Sequence, residues 1–178
     1  MKIIYDIDCL LYFLKIKRTD LLEELFSHIV ISNKVFNSLN NPSIPDFIKD
    51  KLNELVDKDF VRVEEISYNT KTFDIYYGIK NDHKNQVLGD GEASSIAIAI
   101  KNKGVVAYNN PNAIKDYLEK YDLKCITSED IFNDLFKKGI ISKGELKDFL
   151  EKWISLNSFF IAYSFWIFTQ IYKYLNIS

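Results

Sequence analysis

Leu88 to Ile100 (LGDGEASSIAIAI) constrains this chain more than any other stretch. Two glycines and two acids lead into a run of small and branched apolar residues. Asp90 reads as an N-cap, which puts Glu92 in the first turn of a helix. A carboxylate there faces unpaired backbone N–H groups and the positive end of the helix dipole, so it stays ionised. Ala93, Ile96, Ala97 and Ile100 then recur at helical spacing, a narrow stripe suited to close packing on a sheet. Gly104-Val105-Val106-Ala107-Tyr108 follows and reads as a buried strand that ends at Asn109 and Asn110. A helix feeding a parallel strand predicts an α/β protein.

The rest of the chain fits that class. Lys2 to Asp6 is an apolar run closed by an acid, read as a central strand. Two helices fit between Asp8 and Phe26, the second capped by Thr19. His28–Ser32 reads as a strand, Asn33–Leu39 as a short helix, and Pro45–Val56 as a clearer one. Phe60–Glu64 alternates as a strand does, and a helix is predicted around Phe73–Ile79. Beyond the central stretch, Asn112–Tyr121 reads as helix, Leu123–Ile126 as strand and Ser128–Lys138 as a Ser-capped helix that Gly139 stops. Ser142–Trp153 carries the capping-box pattern, with Glu145 three residues after Ser142. Strands alternating with helices imply a mostly parallel sheet covered on both faces.

Size and charge narrow the class further. With 178 residues and 47% hydrophobic content the chain can bury one proper core. A net charge of -2 excludes a generally basic nucleic-acid binder and leaves room for a local basic groove. Two cysteines, Cys9 and Cys125, form no disulfide framework, and no signal peptide is read at Met1-Lys2-Ile3, so a reduced cytoplasmic setting is expected. The uncharged run from Trp153 to Tyr172 is long enough to cross a bilayer. Its Ser, Asn, Thr and Gln residues favour a core-packed last element over a membrane anchor.

Sites in open α/β sheets form beyond the carboxyl ends of the strands. Those ends carry Asp6 followed by Asp8, Ser32, Glu64, Asn109 with Asn110, and Thr127 with Ser128. Glu92, at a helix N-terminus, brings two or three carboxylates towards one point. Clustered carboxylates with neutral oxygen neighbours are what Mg²⁺ or Mn²⁺ requires. Each residue also has a structural reading. Asp6, Asp8 and Asn109 are good caps, Glu92 suits a helix dipole, and Asn110-Pro111 suits a turn into a helix.

IIYDIDCLLYFLKI, ISNKVFNSL, LGDGEASSIAIAI, VVAYNNPNAIKDYL and ITSEDIF, in that order, resemble a PIN domain of the branch with a GEA-type helix. The resemblance covers roughly residues 2 to 155. It implies a three-layer α/β/α sandwich with a parallel sheet of about five strands, in a domain spanning 1–155. The C-terminal 156–178 is expected as a helical segment packed on that same domain. It further implies metal-dependent RNA cleavage with Mg²⁺ or Mn²⁺, an antitoxin-like partner protein in a toxin–antitoxin pair, and a homodimer. The family's first-strand aspartate matches Asp6 and its GEA glutamate matches Glu92. Its second acid falls at Ser38 or near it, and its later acid pair falls on Asn109 and Asn110.

Two of the usual four carboxylates therefore remain. The expected site is Asp6, Glu92 and Asn109 as catalytic and metal-binding groups, Asp8 as a further ligand, and Ser38, Asn110 and Asn112 as lining. Asn109 offers an oxygen without charge and cannot act as a base, so any cation is held weakly. Two functions stay open: a PIN-type ribonuclease, or a degenerate PIN-like protein that binds nucleic acid or a protein partner without cutting.

Overall fold

The computed structural model describes residues 2–82 and 87–156 of the chain, without the side chains of 150 and 153–156. It comprises two compact units, Met1–Ser128 and Glu129–Ser178.

The first unit is built on five strands: β1 (Ile3–Tyr5), β2 (Ile29–Ser32), β3 (Val61–Glu64), β4 (Val105–Ala107) and β5 (Lys124–Ile126). All neighbours are parallel, in the order β3-β2-β1-β4-β5. The sheet is thus wholly parallel. Ile4 lies opposite Val30 on one side and Val106 on the other, so β1 is the central strand its unbroken apolar run suggested.

Helices α1 (Ile7–Lys15), α2 (Asp20–Leu25), α3 (Asn33–Leu39), α4 (Asp46–Asp57), α5 (Lys71–Lys80), α6 (Asp90–Asn102) and α7 (Lys115–Tyr121) complete this unit, with a 3₁₀ turn at Pro111–Ile114. Strand alternation sends Ile4, Val30 and Val106 to one face, where they join a core with Ala93, Ile96 and Ala97 of α6 and Tyr76 and Ile79 of α5. Tyr5 points to the opposite face and meets the ring of Phe26 edge-on at 6.4 Å. Leu10, Phe13 and Leu14 of α1, and Leu52 and Leu55 of α4, are fully buried as well.

Helix α6 is buried almost all round from Gly91 to Ala99, which explains its small residues. A Cβ on Gly91 would lie 2.7 Å from Cδ1 of Ile7 and 3.5 Å from Cγ2 of Val35, so the helix start passes close over both neighbours. Beyond the other end the close neighbour is backbone, which cannot give way as a side chain can. A Cβ on Gly104 would stand 2.8 Å from the carbonyl oxygen of Lys2. The left-handed turn that ends α6 is taken instead by Lys103, at φ 48°, so that the glycine is kept for the close approach.

Two caps differ from the sequence reading. Gly89, not Asp90, is the N-cap of α6; Asp90 is the first helical residue. Its carboxylate is drawn sideways by the Tyr76 hydroxyl at 2.6 Å and by Lys80 at 3.6 Å. Thr19 does precede α2, but its backbone is already helical and its side chain makes no capping bond. An N-cap side chain reaches the turn from an extended backbone, which Thr19 lacks.

The second unit holds α8, which opens on Ser128 and runs to Lys137, and α9 (Lys143–Leu156). Gly139, at φ 70°, turns the chain between them. The predicted capping box is present: Ser142 N–H donates to Glu145 at 2.9 Å, and Glu145 N–H donates to the Ser142 hydroxyl at 3.2 Å. Phe132 and Phe149 stack at 5.4 Å. The segment expected at 156–178 lies, but for its first residue, outside the described residues, as does most of the uncharged run before Lys173. Among the described residues no helix is long and apolar enough to cross a membrane.

Candidate functional site

The strand order fixes where a site can form. From β1 the chain builds outward through β2 to β3, then returns to add β4 and β5 on the other side. The carboxyl ends of β1 and β4 therefore flank the point where the winding reverses, the usual place for a crevice in such sheets. Asp6 follows β1 there, and Tyr108 and Asn109 follow β4.

Asp6 shares a face with Ile4, the face covered by α6. It is 2% exposed, and its Oδ1 is buried without a hydrogen-bond partner. Its backbone is fixed from both sides: Asp6 N–H donates to Ala107 O at 3.1 Å, and the preceding carbonyl, on Tyr5, accepts from the Ser95 hydroxyl at 3.3 Å. Although Asp6 is the N-cap of α1, its side chain makes no capping bond. Burial pushes its pKa up to about 7; Asp8 and Glu92 repel its charge, and the nearby N–H groups of Ile7 and Asp8 only partly offset the rise.

Glu92 is held at both oxygens. Gly89 N–H donates to Oε2 at 2.6 Å, and the Tyr108 hydroxyl donates to Oε1 at 2.5 Å. One half of a capping box is present, since glycine has no side chain to return the bond. Burial, then the Glu92 charge, lifts the Tyr108 phenol far above its ordinary range, so it remains a donor. Asp8, in the first turn of α1, is raised as well: crowding by protein displaces part of its water, and Glu92 repels it while Lys15 attracts it. The carboxylates of Asp6, Asp8 and Glu92 thus feel one another electrostatically.

A chain of serines locks α6 over this point. Val35 N–H donates to the Ser32 hydroxyl at 3.0 Å, Ser32 and Ser94 hydroxyls meet at 2.7 Å, and Ser94 donates to Gly91 O at 2.7 Å. Since the Ser94 hydrogen goes to Gly91, Ser32 is the donor between the two serines. Ser32, read as a strand-end polar group, therefore caps α3 and ties it to the helix carrying Glu92.

The other named residues lie on α3, at the end of β3 and in the segment after β4. Oδ1 of Asn109 accepts from Ser128 N–H at 2.9 Å. Asn110 precedes the 3₁₀ turn without a side-chain cap bond, and Asn112 lies exposed within that turn. Ser38 is exposed in the last turn of α3. Glu64, at the end of β3, bonds to Lys101 at 2.7 Å and Lys2 at 3.4 Å, with Asn102 donating to it as well. These partners hold it below the usual carboxylate range against the effect of burial.

Asp6 and Glu92 are the residues that could hold a divalent cation. The unpartnered Oδ1 of Asp6 and the free lone pairs of Glu92 suit a hard ion that keeps much of its water. Among the described residues no three His, Cys, Asp or Glu side chains are close enough to form a ligand group as they stand.

Tyr108, Ser94 and Ser95 were not singled out in the sequence. The same alternation that buries Val106 under α6 places Tyr108 on the Glu92 side of β4, and that signal was legible.

A family model described as DUF3368, PIN domain, matches residues 2–172. The chain belongs to the PIN domain family. No curated protein matches it. Among solved structures this PIN domain is similar to one of FitAB bound to the IR36 DNA fragment, at 10% identity and a TM-score of 0.49, over 71% of this chain and 94% of that one.

Proposed function

We propose that this PIN domain is a metal-dependent ribonuclease whose site has been reduced to two principal carboxylates, Asp6 and Glu92. The observation that carries the reading is Oδ1 of Asp6, buried without a partner at the point where the winding reverses. A buried carboxylate left incomplete in this way costs stability unless something electropositive occupies the crevice. Mg²⁺ or Mn²⁺ is the cation proposed, with Asp8 and the second lone pair of Asn109 Oδ1 at the rim of the site.

When bound, such an ion polarises the phosphodiester and neutralises charge that develops during cleavage. The protein's own contributions are separate. Asp6 gives up its proton on loading, because a cation favours the carboxylate form. Glu92 keeps a fixed orientation through Gly89 N–H and the Tyr108 hydroxyl. Burial of Asp6 excludes water from its side of the candidate site, which strengthens the electrostatic interactions there.

Toxin action in a toxin–antitoxin pair is the biological setting we propose, on the family's account alone. Purified protein is assayed on mixed single-stranded RNA with Mn²⁺, Mg²⁺ or chelator. Cleavage that requires metal and is abolished in Asp6→Asn supports the reading; cleavage unchanged in Asp6→Asn overturns it. A second reading, binding without cleavage, is favoured by one observation: the Asn109 oxygen that would complete the ligand set is engaged by Ser128 N–H. RNA retention without metal-dependent cleavage is the result that would select it.

A further inference from the structure

We infer that Tyr108 is a positioning residue of this site: its phenol holds the Glu92 carboxylate in the orientation that receives the cation. The inference rests on the metal-site reading above and assigns it a residue outside the acidic set.

The geometry is specific. Glu92 has two oxygens, and each takes one hydrogen bond, Oε2 from Gly89 N–H and Oε1 from the Tyr108 hydroxyl. The first comes from the turn that precedes α6, the second from the residue that follows β4. The carboxylate is thus clamped between two elements that meet only in the folded sheet. Each oxygen keeps a further lone pair, so two donors fix the plane of the group without closing it to a cation. The phenol is well placed for the task, since its ring is 5% exposed within the core under α6 and cannot swing away. Side chains that hydrogen-bond a ligating carboxylate in this way orient it and tune its affinity.

The chain's departures from the family pattern make this contact matter more. Asn109 and Asn110 bring no charge, and Asn109 is turned to Ser128. With few ligands, affinity depends on how well each is pre-oriented, because a loose carboxylate must be ordered at the moment of binding. Tyr108→Phe keeps the ring and its packing and removes the one donor.

The test is Mn²⁺ titration by calorimetry on the full chain, comparing wild type, Tyr108→Phe, Glu92→Gln and the double variant. Tyr108→Phe is expected to weaken binding about 10- to 100-fold. In the Glu92→Gln background the same change is expected to have no further effect, because the phenol acts through that carboxylate. A merely structural tyrosine would weaken both backgrounds equally, and that result overturns the inference. Wild-type binding unaltered by Tyr108→Phe also overturns it and leaves the metal site standing. If wild type binds no Mn²⁺ while its thermal unfolding is normal, the metal-site reading fails and the inference fails with it. Should Tyr108→Phe melt early, titration below its melting temperature keeps the comparison, and a loss of affinity confined to the Glu92 background supports positioning while equal losses in both overturn it.

Discussion

The side-chain oxygen of Asn109, two residues beyond β4, accepts a hydrogen bond from the backbone N–H of Ser128 at 2.9 Å. A carboxylate at this position could make the same bond and would add charge at a helix N-terminus, where charge is welcome. It would also add repulsion towards Asp6 and Glu92. Asn109→Asp is therefore expected to bind Mn²⁺ more tightly than wild type. Melting curves in chelator and in Mn²⁺ read this directly: the variant should gain more from the ion, and an equal gain would show that position 109 cannot reach it.

Asp6 makes stability depend on pH in an unusual direction. Its pKa lies near 7 in the folded chain against an ordinary value of 3.8. Between these values the native state holds a proton that the unfolded chain has released, so stability falls as pH rises and the loss is complete above about pH 7. Metal-free Asp6→Asn, neutral throughout, should melt above wild type at pH 8, by an amount equivalent to about 1–4 kcal/mol, with the gap closing towards pH 4. Adding Mn²⁺ should reverse the order at pH 8. A wild-type melting temperature that rises from pH 5 to 8 without metal would contradict the assignment.

The serine chain offers a third measurement. Removing the Ser32 hydroxyl strips the cap from Val35 and leaves Ser94 with one partner fewer, in a region with no solvent to replace it. Ser32→Ala should cost about 1–3 kcal/mol in urea unfolding. Paired with Ser94→Ala it should cost less than the two single changes together, since they share a bond. Additive losses would mean that the hydroxyls do not interact in solution.

Glycines at two positions should respond oppositely. Gly104→Ala would press a methyl group against the Lys2 carbonyl, which the sheet holds in place, and should destabilise by about 1–3 kcal/mol. Gly78 lies inside α5 with open space where its Cβ would be, so Gly78→Ala should stabilise by about 0.5–1 kcal/mol. Thermal melts of both variants are sufficient; the same sign for both would refute the packing described around Gly104.

Much of the architecture was readable from periodicity because the elements are short and sharply punctuated. Asn33–Leu39 is helical over the predicted range, and the apolar runs ending at Asp6, Ser32 and Glu64 are strands. The caps were harder. Whether Gly89 or Asp90 opens α6 depends on Tyr76 and Lys80, which compete for the aspartate from another helix. As candidates, Asp6 and Glu92 could be named from strand ends and helix starts. The role of Tyr108 depends on a contact between β4 and α6 that has no local signature, although alternation gave its face. The task taken by Asn109 depends likewise on Ser128, nineteen positions away.

The register of β1 on β4 has a temporal side. Ile3 pairs with Val105, and Asp6 is tied to Ala107, about a hundred residues further along. During synthesis the first strand leaves the ribosome long before its inner neighbour exists. At about 5–20 residues per second, several seconds pass before the crevice can close. A nascent chain halted before β4 carries Asp6 and Glu92 but lacks Tyr108 and the strand that holds the backbone of Asp6. Any chemistry that relies on both strands would thereby be withheld from every incomplete copy, a built-in delay between making the acids and completing their surroundings.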